Sequence, residues 1–67
     1  MNSTAGERIR KMRRAHGLSQ KDLAQAAGVT VRTLQNIESG RRHPERKLMR
    51  RLSIIFHMKI GEVLGDG

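Results

Sequence analysis

The chain has 67 residues and a formal net charge of +8, because fourteen Lys and Arg stand against six Asp and Glu. A chain of this length forms a single small domain, and its basic excess favours a polyanionic partner, either nucleic acid or an anionic membrane surface. The sequence contains no Cys, Trp or Tyr, which excludes disulfides, thiolate zinc sites, Cys nucleophiles and folds that stack single-stranded bases on several aromatic rings.

Capping signals mark the first two predicted helices. Thr4 and Glu7 are spaced as a capping box, so a helix is predicted over residues 5–16. Ser19 is the N-cap of a second helix, which ends at Gly28 because glycine readily adopts the left-handed conformation that terminates a helix.

Three more helices are predicted in the second half of the chain. Thr30 is the N-cap of a third helix that stops at Ser39, and Pro44 suits the first turn of a fourth. The inward stripe of the fourth helix comprises Leu48, Met49, Leu52, Ile55 and Phe56. The inward residues of a short fifth helix are Ile60, Val63 and Leu64. We expect one all-α domain over residues 1–67, with a core from about 7 to 64 and frayed ends at 1–4 and 65–67.

Positive charge flanks a neutral middle. Residues 1–14 and 41–51 are strongly basic, whereas acidic and basic side chains balance over residues 15–40. The two basic segments could bind a nucleic-acid backbone on either side of the neutral segment, or they could be ordinary solvated helix faces. Charge alone does not distinguish these alternatives.

The spacing from Gln20 to Ile37 has the form of a helix-turn-helix. Ala24 is small where the two helices would cross. Gly28 lies in the turn, where a positive φ would cost a residue with a Cβ about 1–2 kcal/mol. Leu34 and Ile37 pack the following helix onto the preceding one. Two helices joined by a short glycine-containing turn are typical of this motif.

Several linked blocks extend the likeness over most of the chain. They are Ile9-Arg10-x-Met12-Arg13, Gly17-Leu18-Ser19-Gln20-x-x-Leu23-Ala24, Gly28-Val29-Thr30, Leu34-x-x-Ile37-Glu38-x-Gly40 and Leu52. In these blocks the sequence resembles the lambda-repressor-like family of helix-turn-helix regulators of bacteria and phages, the Cro/repressor or XRE type. The resemblance covers about residues 7–64. It implies a compact five-helix fold in which the third helix, Val31–Glu38, enters the major groove of DNA.

The third helix presents four residues outward if Leu34 and Ile37 point inward. We expect base contacts from Val31, Arg32, Thr33 and Asn36. Arg can donate two hydrogen bonds to guanine, Asn can pair with adenine, and Val or Thr methyl groups can touch a thymine methyl. The alternative is a set of ordinary solvated residues on an amphipathic helix.

The resemblance also implies residues that position the third helix without contacting bases. Phosphate contacts are expected from Gln20, Lys21, Arg41 and Arg42. Arg13 and Glu38 match the family's structural ion pair between the first and third helices; otherwise they are unconnected surface charges. The other basic residues near the N-terminus are expected to form a solvated face or to steer DNA at long range; they are Arg8, Arg10, Lys11 and Arg14.

No metal ion, cofactor or small-molecule substrate is expected. The three histidines lack carboxylate or imidazole partners at ligand spacing; they are His16, His43 and His57. No apolar run is long enough to span a bilayer, and the basic N-terminal segment has only Ile9 and Met12 as apolar anchors, so we expect no membrane partner. The oligomeric state stays open between a monomer and a homodimer. Three apolar residues could form a contact patch between two copies or, as we favour, complete the core; they are Ile54, Met58 and Ile60.

These observations and the resemblance together predict a sequence-specific regulator of transcription that binds double-stranded DNA and is not an enzyme. Both repression and activation stay open, and we favour repression. Its operator would be near-palindromic if the chain binds as a dimer. Its location would be the cytoplasm, on the nucleoid of a bacterium or on phage DNA. The alternatives are an antitoxin or anti-repressor that binds an acidic protein, and a membrane-surface helix over residues 8–14, which has few apolar anchors.

Overall fold

The computed structural model describes residues 4–58, and within that range every regular element is a helix. The four helices are α1 (Ala5–Ala15), α2 (Gln20–Ala27), α3 (Val31–Glu38) and α4 (Arg46–Ile55). The predicted all-α class is confirmed over these residues, and the predicted bounds of the first three helices agree to within one residue. The predicted fifth helix lies outside the described residues.

Side-chain caps open the first three helices, as their spacing predicted. The Thr4 hydroxyl accepts a hydrogen bond from the Glu7 amide at 3.1 Å. The Ser19 hydroxyl accepts one from the Asp22 amide at 3.0 Å, and the Asp22 carboxylate accepts one from the Ser19 amide at 3.3 Å. Hydrogen bonding to the Asp22 carboxyl, first from the Ser19 side chain and then from the Ser19 backbone amide, holds the pKa of that carboxyl below its ordinary value. Thr30 caps α3 through its hydroxyl in the same way as Thr4 caps α1.

The start of α4 differs from the prediction for Pro44. Glu45 is the N-cap, with an extended backbone (φ −71°, ψ 156°) and no capping bond from its side chain. Pro44 therefore precedes the cap instead of occupying the first turn, and it is buried. The expectation was wrong because the fixed φ of proline and its missing amide hydrogen are tolerated equally well in a buried loop just before a helix.

One core joins the four helices. Each helix contributes at least one completely buried aliphatic side chain to it; these are Ile9, Leu23, Leu34, Ile37 and Leu52. The predicted stripe on α4 is largely correct: Leu48, Met49 and Phe56 are buried and Ile55 is half-buried. Burial of each large apolar side chain contributes about 1.5–3 kcal/mol relative to exposure. Ile54 is 73% exposed, so the preference for placing it in the core was wrong. Met58 packs against the core, and Ile60 lies outside the described residues.

A glycine sets how closely α1 approaches α3. Gly6 is buried, and a Cβ at this position would overlap the carbonyl oxygen of Ile37. The first turn of α1 therefore lies directly against the C-terminal turn of α3. This role was not predicted, because the local spacing around Gly6 indicates only a helix start.

The turn between α2 and α3 has the predicted left-handed glycine. Gly28 has φ 72° and ψ 29°, a conformation that costs other residues about 1–2 kcal/mol. Arg51 of α4 reaches this turn, and its Nη1 donates a hydrogen bond to the Ala27 carbonyl at 3.0 Å. A Cβ at Gly28 would lie 2.6 Å from the same Nη1. In the sequence Arg51 is only one of the basic residues of the segment 41–51, whereas in the structure it binds the carbonyl end of α2.

Candidate nucleic-acid interface

The outward face of α3 carries the four residues predicted to contact bases, which are Val31, Arg32, Thr33 and Asn36. The opposite face is anchored by Leu34 and Ile37, which are buried. Val31 and Arg32 are exposed, and Thr33 and Asn36 are half-buried. The helix therefore presents a guanidinium, a carboxamide, a hydroxyl and an apolar side chain on one solvent-facing surface.

Two of these four side chains have free hydrogen-bonding groups. Neither the Arg32 guanidinium nor the Asn36 carboxamide has a partner among residues 4–58. The Thr33 hydroxyl, in contrast, accepts a hydrogen bond from the Thr30 hydroxyl at 2.9 Å. Donors and acceptors that the fold does not use are available to the edges of base pairs.

The loop after α3 folds back onto that helix. The backbone amides of Arg41 and Arg42 both donate to the Asn36 carbonyl, at 2.9 and 3.1 Å. Both side chains are exposed, and Arg42 Nη2 pairs with Glu45 Oε1 at 3.2 Å. An exposed pair of this kind contributes at most about 1 kcal/mol. A phosphate could therefore replace Glu45 as the partner of Arg42 at little cost.

Arg13 and Glu38, predicted to pair, lie together at the contact between α1 and α3. Arg13 Nε donates to Glu38 Oε2 at 2.8 Å, and Arg13 Nη2 donates to Glu38 Oε1 at 3.1 Å. The two side chains are 10% and 3% exposed. Arg13 Nη1 also donates to the Leu18 carbonyl at 2.9 Å. This bidentate pair therefore connects α1, the loop before α2 and the end of α3.

Gln20, a predicted phosphate contact, extends the same network to the start of α2. Its Nε2 donates to Glu38 Oε1 at 3.2 Å, and its Oε1 accepts from Gln35 Nε2 at 3.3 Å. Lys21, its neighbour and the other predicted phosphate contact on α2, is exposed. Gln35 was missed in the sequence, where no local signal distinguishes it from any other polar residue of an amphipathic helix.

An open cleft lies between α1, α2 and the C-terminal end of α3. Its lining includes Arg10, Arg14, Ser19, Gln20, Gln35 and Ser39, together with the Arg13–Glu38 pair. Since Arg13 neutralises Glu38, Arg10 and Arg14 leave the cleft with excess positive charge. These two arginines were predicted only as solvated or steering charges, and the structure places them in the lining of the same cleft as Gln20.

A metal centre has no support in the part of the chain that the structure describes. Residues 4–58 contain no group of three or more His, Asp or Glu side chains that could hold a metal ion. His16 is used locally: its Nδ1 lies 2.9 Å from the Met12 carbonyl, and its ring centroid lies 5.0 Å from that of Phe56. Among the same residues no helix is long and apolar enough to cross a bilayer.

The sequence of this chain matches a known protein family and several known proteins. The profile of the helix-turn-helix family matches residues 9–63. The HTH-type transcriptional regulator DdrOP3 of Deinococcus deserti is 33% identical over 58 residues, which are 87% of this chain and 45% of that protein. An uncharacterized HTH-type transcriptional regulator of Methanocaldococcus jannaschii is 34% identical over 56 residues, 84% of this chain and 85% of that protein.

A solved structure of a transcriptional regulator also matches this chain. The crystal structure of a transcriptional regulator from Listeria innocua superposes with a TM-score of 0.89 at 27% identity, covering 100% of this chain and 63% of that one. The chain thus spans less than two thirds of the Deinococcus and Listeria proteins. All three proteins are named as transcriptional regulators, which confirms the prediction that this chain is not an enzyme.

Proposed function

This chain belongs to the helix-turn-helix family of transcriptional regulators, and we propose that it recognises a specific double-stranded DNA sequence by placing α3 in the major groove. The observation that carries the proposal is the outward face of α3. On that face the guanidinium of Arg32 and the carboxamide of Asn36 are about one helical turn apart and unpartnered within residues 4–58. Arg is suited to guanine and Asn to adenine, and the exposed Val31 can contact a thymine methyl. Thr33 would add a hydroxyl or methyl contact.

Four flanking residues would hold this helix in register on the sugar–phosphate backbone. We assign Gln20 and Lys21 at the start of α2, and Arg41 and Arg42 after α3, to phosphate contacts. Such contacts supply affinity and orientation but carry no sequence information. The cations among them make binding salt-dependent, because each neutralised phosphate releases condensed counterions.

The regulatory outcome that we propose is repression, by occupancy of an operator in the cytoplasm, on the DNA of a cell or a phage. A near-palindromic operator would follow from binding as a homodimer, since two-fold protein symmetry is matched by two half-sites one helical turn apart. Ile54, 73% exposed on α4, is available for a contact between two copies.

Selection of bound sequences from a random duplex pool tests the proposal. With the selected operator, Arg32→Ala or Asn36→Ala should cost about 1–3 kcal/mol in binding and relax base preference at one position per half-site. Arg42→Ala should weaken selected and random DNA alike and flatten the slope of log K against log[salt] by about one unit. Arg50→Ala is the matched control, because Arg50 is exposed on α4, outside the proposed contacts.

The opposite result would change the assignment. If the selected motif survives both Arg32→Ala and Asn36→Ala, α3 is not the recognition helix. If the selection yields no motif at all, the chain is better described as an antitoxin or anti-repressor module that binds an acidic protein through its basic faces.

A further inference from the structure

Gln35 is a residue of α3 to which the proposed function gives no role. It is exposed, yet its side chain is ordered by a hydrogen bond from its Nε2 to the Oε1 of Gln20 at 3.3 Å. Gln20 in turn donates from its Nε2 to Glu38 Oε1 at 3.2 Å. The Gln20 carboxamide is thus held at both ends, by Glu38 on one side and by Gln35 on the other.

The chemistry of Glu38 determines whether the nitrogen or the oxygen of the Gln20 carboxamide faces it. A carboxylate paired with a guanidinium, as Glu38 is with Arg13, accepts hydrogen bonds and donates none. The atom of Gln20 that faces Glu38 must therefore be the nitrogen, and the oxygen must face Gln35. Only a donor can satisfy that oxygen, and Gln35 supplies one.

This orientation determines what Gln20 can offer to a ligand. Its Nε2 carries two hydrogens, of which one is bonded to Glu38, whereas its Oε1 is occupied by Gln35. Gln20 lines the open cleft together with Arg10 and Arg14, so a negatively charged ligand is favoured there. A phosphate oxygen accepts hydrogen bonds and would be repelled by an amide oxygen, so it requires the nitrogen of Gln20.

We infer that Gln35 is a positioning residue for the DNA backbone contact. By holding the oxygen of the Gln20 carboxamide, it keeps the nitrogen available to one phosphate, and it contacts neither base nor backbone itself. This inference rests on the proposed function and adds to it a role for Gln35, a residue of α3 that acts on the phosphate contact through Gln20 of α2.

A double-mutant cycle in DNA binding tests the inference. Gln20→Ala should lose about tenfold in affinity on selected and random DNA alike, the size of one hydrogen bond to a charged group. Gln35→Met, which keeps the length of the side chain but removes its donor, should lose about threefold to fivefold, because the Gln20 amide keeps its bond to Glu38 but loses the bond that holds its oxygen. In the Gln20→Ala background, Gln35→Met should cost nothing more, and in neither background should the selected base motif change. Gln25→Met is the matched control, because Gln25 is exposed on α2 and has no side-chain partner among residues 4–58.

A second measurement identifies the phosphate. Uncharged methylphosphonate linkages are placed one at a time along the operator, and at one position per half-site the effects of Gln20→Ala and Gln35→Met should both disappear. A purely structural role for Gln35 would leave its effect the same on every such duplex. Thermal melts of each variant show that the fold is retained.

Three results would overturn the inference alone. They are an equal loss from Gln35→Met in both backgrounds, a change of base preference in that variant, and no loss from Gln35→Met while Gln20→Ala weakens binding. A parent protein that selects no DNA motif would instead overturn the proposed function, and the inference would fall with it.

Discussion

Two of the contacts that α2 makes differ in their chemistry. At its start, α2 contacts α3, and through Glu38 also α1, by the polar interface, the hydrogen-bonded set Arg13, Gln20, Gln35 and Glu38. On its other side, α2 packs against α4 through the apolar interface, in which the buried residues of α4 are Leu48, Met49 and Leu52.

Because their chemistry differs, the two interfaces are expected to contribute differently to stability and to helix orientation. Apolar burial is strong but non-directional, so many relative orientations of two helices satisfy it equally well. Charge-assisted hydrogen bonds are directional, and a bidentate guanidinium–carboxylate pair fixes both distance and angle. A buried ion pair is also a weak source of net stability, because desolvation offsets its attraction. We therefore expect the apolar interface to determine whether the domain folds, and the polar interface to determine where α3 points.

Truncation of the apolar interface should produce the largest loss of stability. Leu52 is completely buried, and Leu52→Ala should lower the free energy of unfolding by about 2–5 kcal/mol, the transfer and cavity cost of such a change. A domain this small has little stability to spare, so part of the variant population should be unfolded at 37 °C.

The control for this prediction lies on the same helix. Ile54 is 73% exposed, and Ile54→Ala should change the free energy of unfolding by less than about 0.5 kcal/mol. Urea titrations of both variants, followed by helical circular dichroism, give the comparison. Equal losses for the two would mean that α4 does not pack as described.

In the polar interface the expected quantity is a coupling energy between the two paired residues, and it should be smaller than the loss for Leu52→Ala. Arg13→Ala, Glu38→Ala and the double variant should give a coupling energy of about 0.5–3 kcal/mol in a thermodynamic cycle. The matched control is the exposed pair Arg42–Glu45, for which the coupling should lie below about 1 kcal/mol. Additive losses at Arg13 and Glu38 would mean that the pair does not form in solution.

Local signals made much of this fold predictable from the sequence. The caps at Thr4, Ser19 and Thr30 and the turn at Gly28 each depend on side chains and dihedral angles within a few residues, and their spacing identified the helix bounds. The same motif spacing led to the family, which the comparisons confirm.

Features that depend on distant contacts were not predictable in the same way. Gly6 limits the approach of α1 to Ile37, and Gln35 bonds a residue at the start of α2. A sequence shows neither partner, because each contact exists only once the helices have packed. Arg10 and Arg14 illustrate the same limit: their position beside the cleft requires the angle between α1 and α2, which periodicity does not give.

Arg51 provides the last and smallest test, because it is a polar contact within the apolar interface. Arg51→Met keeps the aliphatic stem but removes the hydrogen bond from Nη1 to the Ala27 carbonyl. The free energy of unfolding should fall by about 0.5–1.5 kcal/mol, the net value of one hydrogen bond, well below the loss for Leu52→Ala. Arg50→Met is the control, since Arg50 is exposed and its side chain has no partner among residues 4–58, and it should be neutral. If Arg51→Met instead lowered the free energy of unfolding as much as Leu52→Ala, hydrogen bonds would be the main interactions in both the polar and the apolar interface of α2. Stability and orientation would then depend on the same kind of interaction, and the contrast between the two interfaces would not hold.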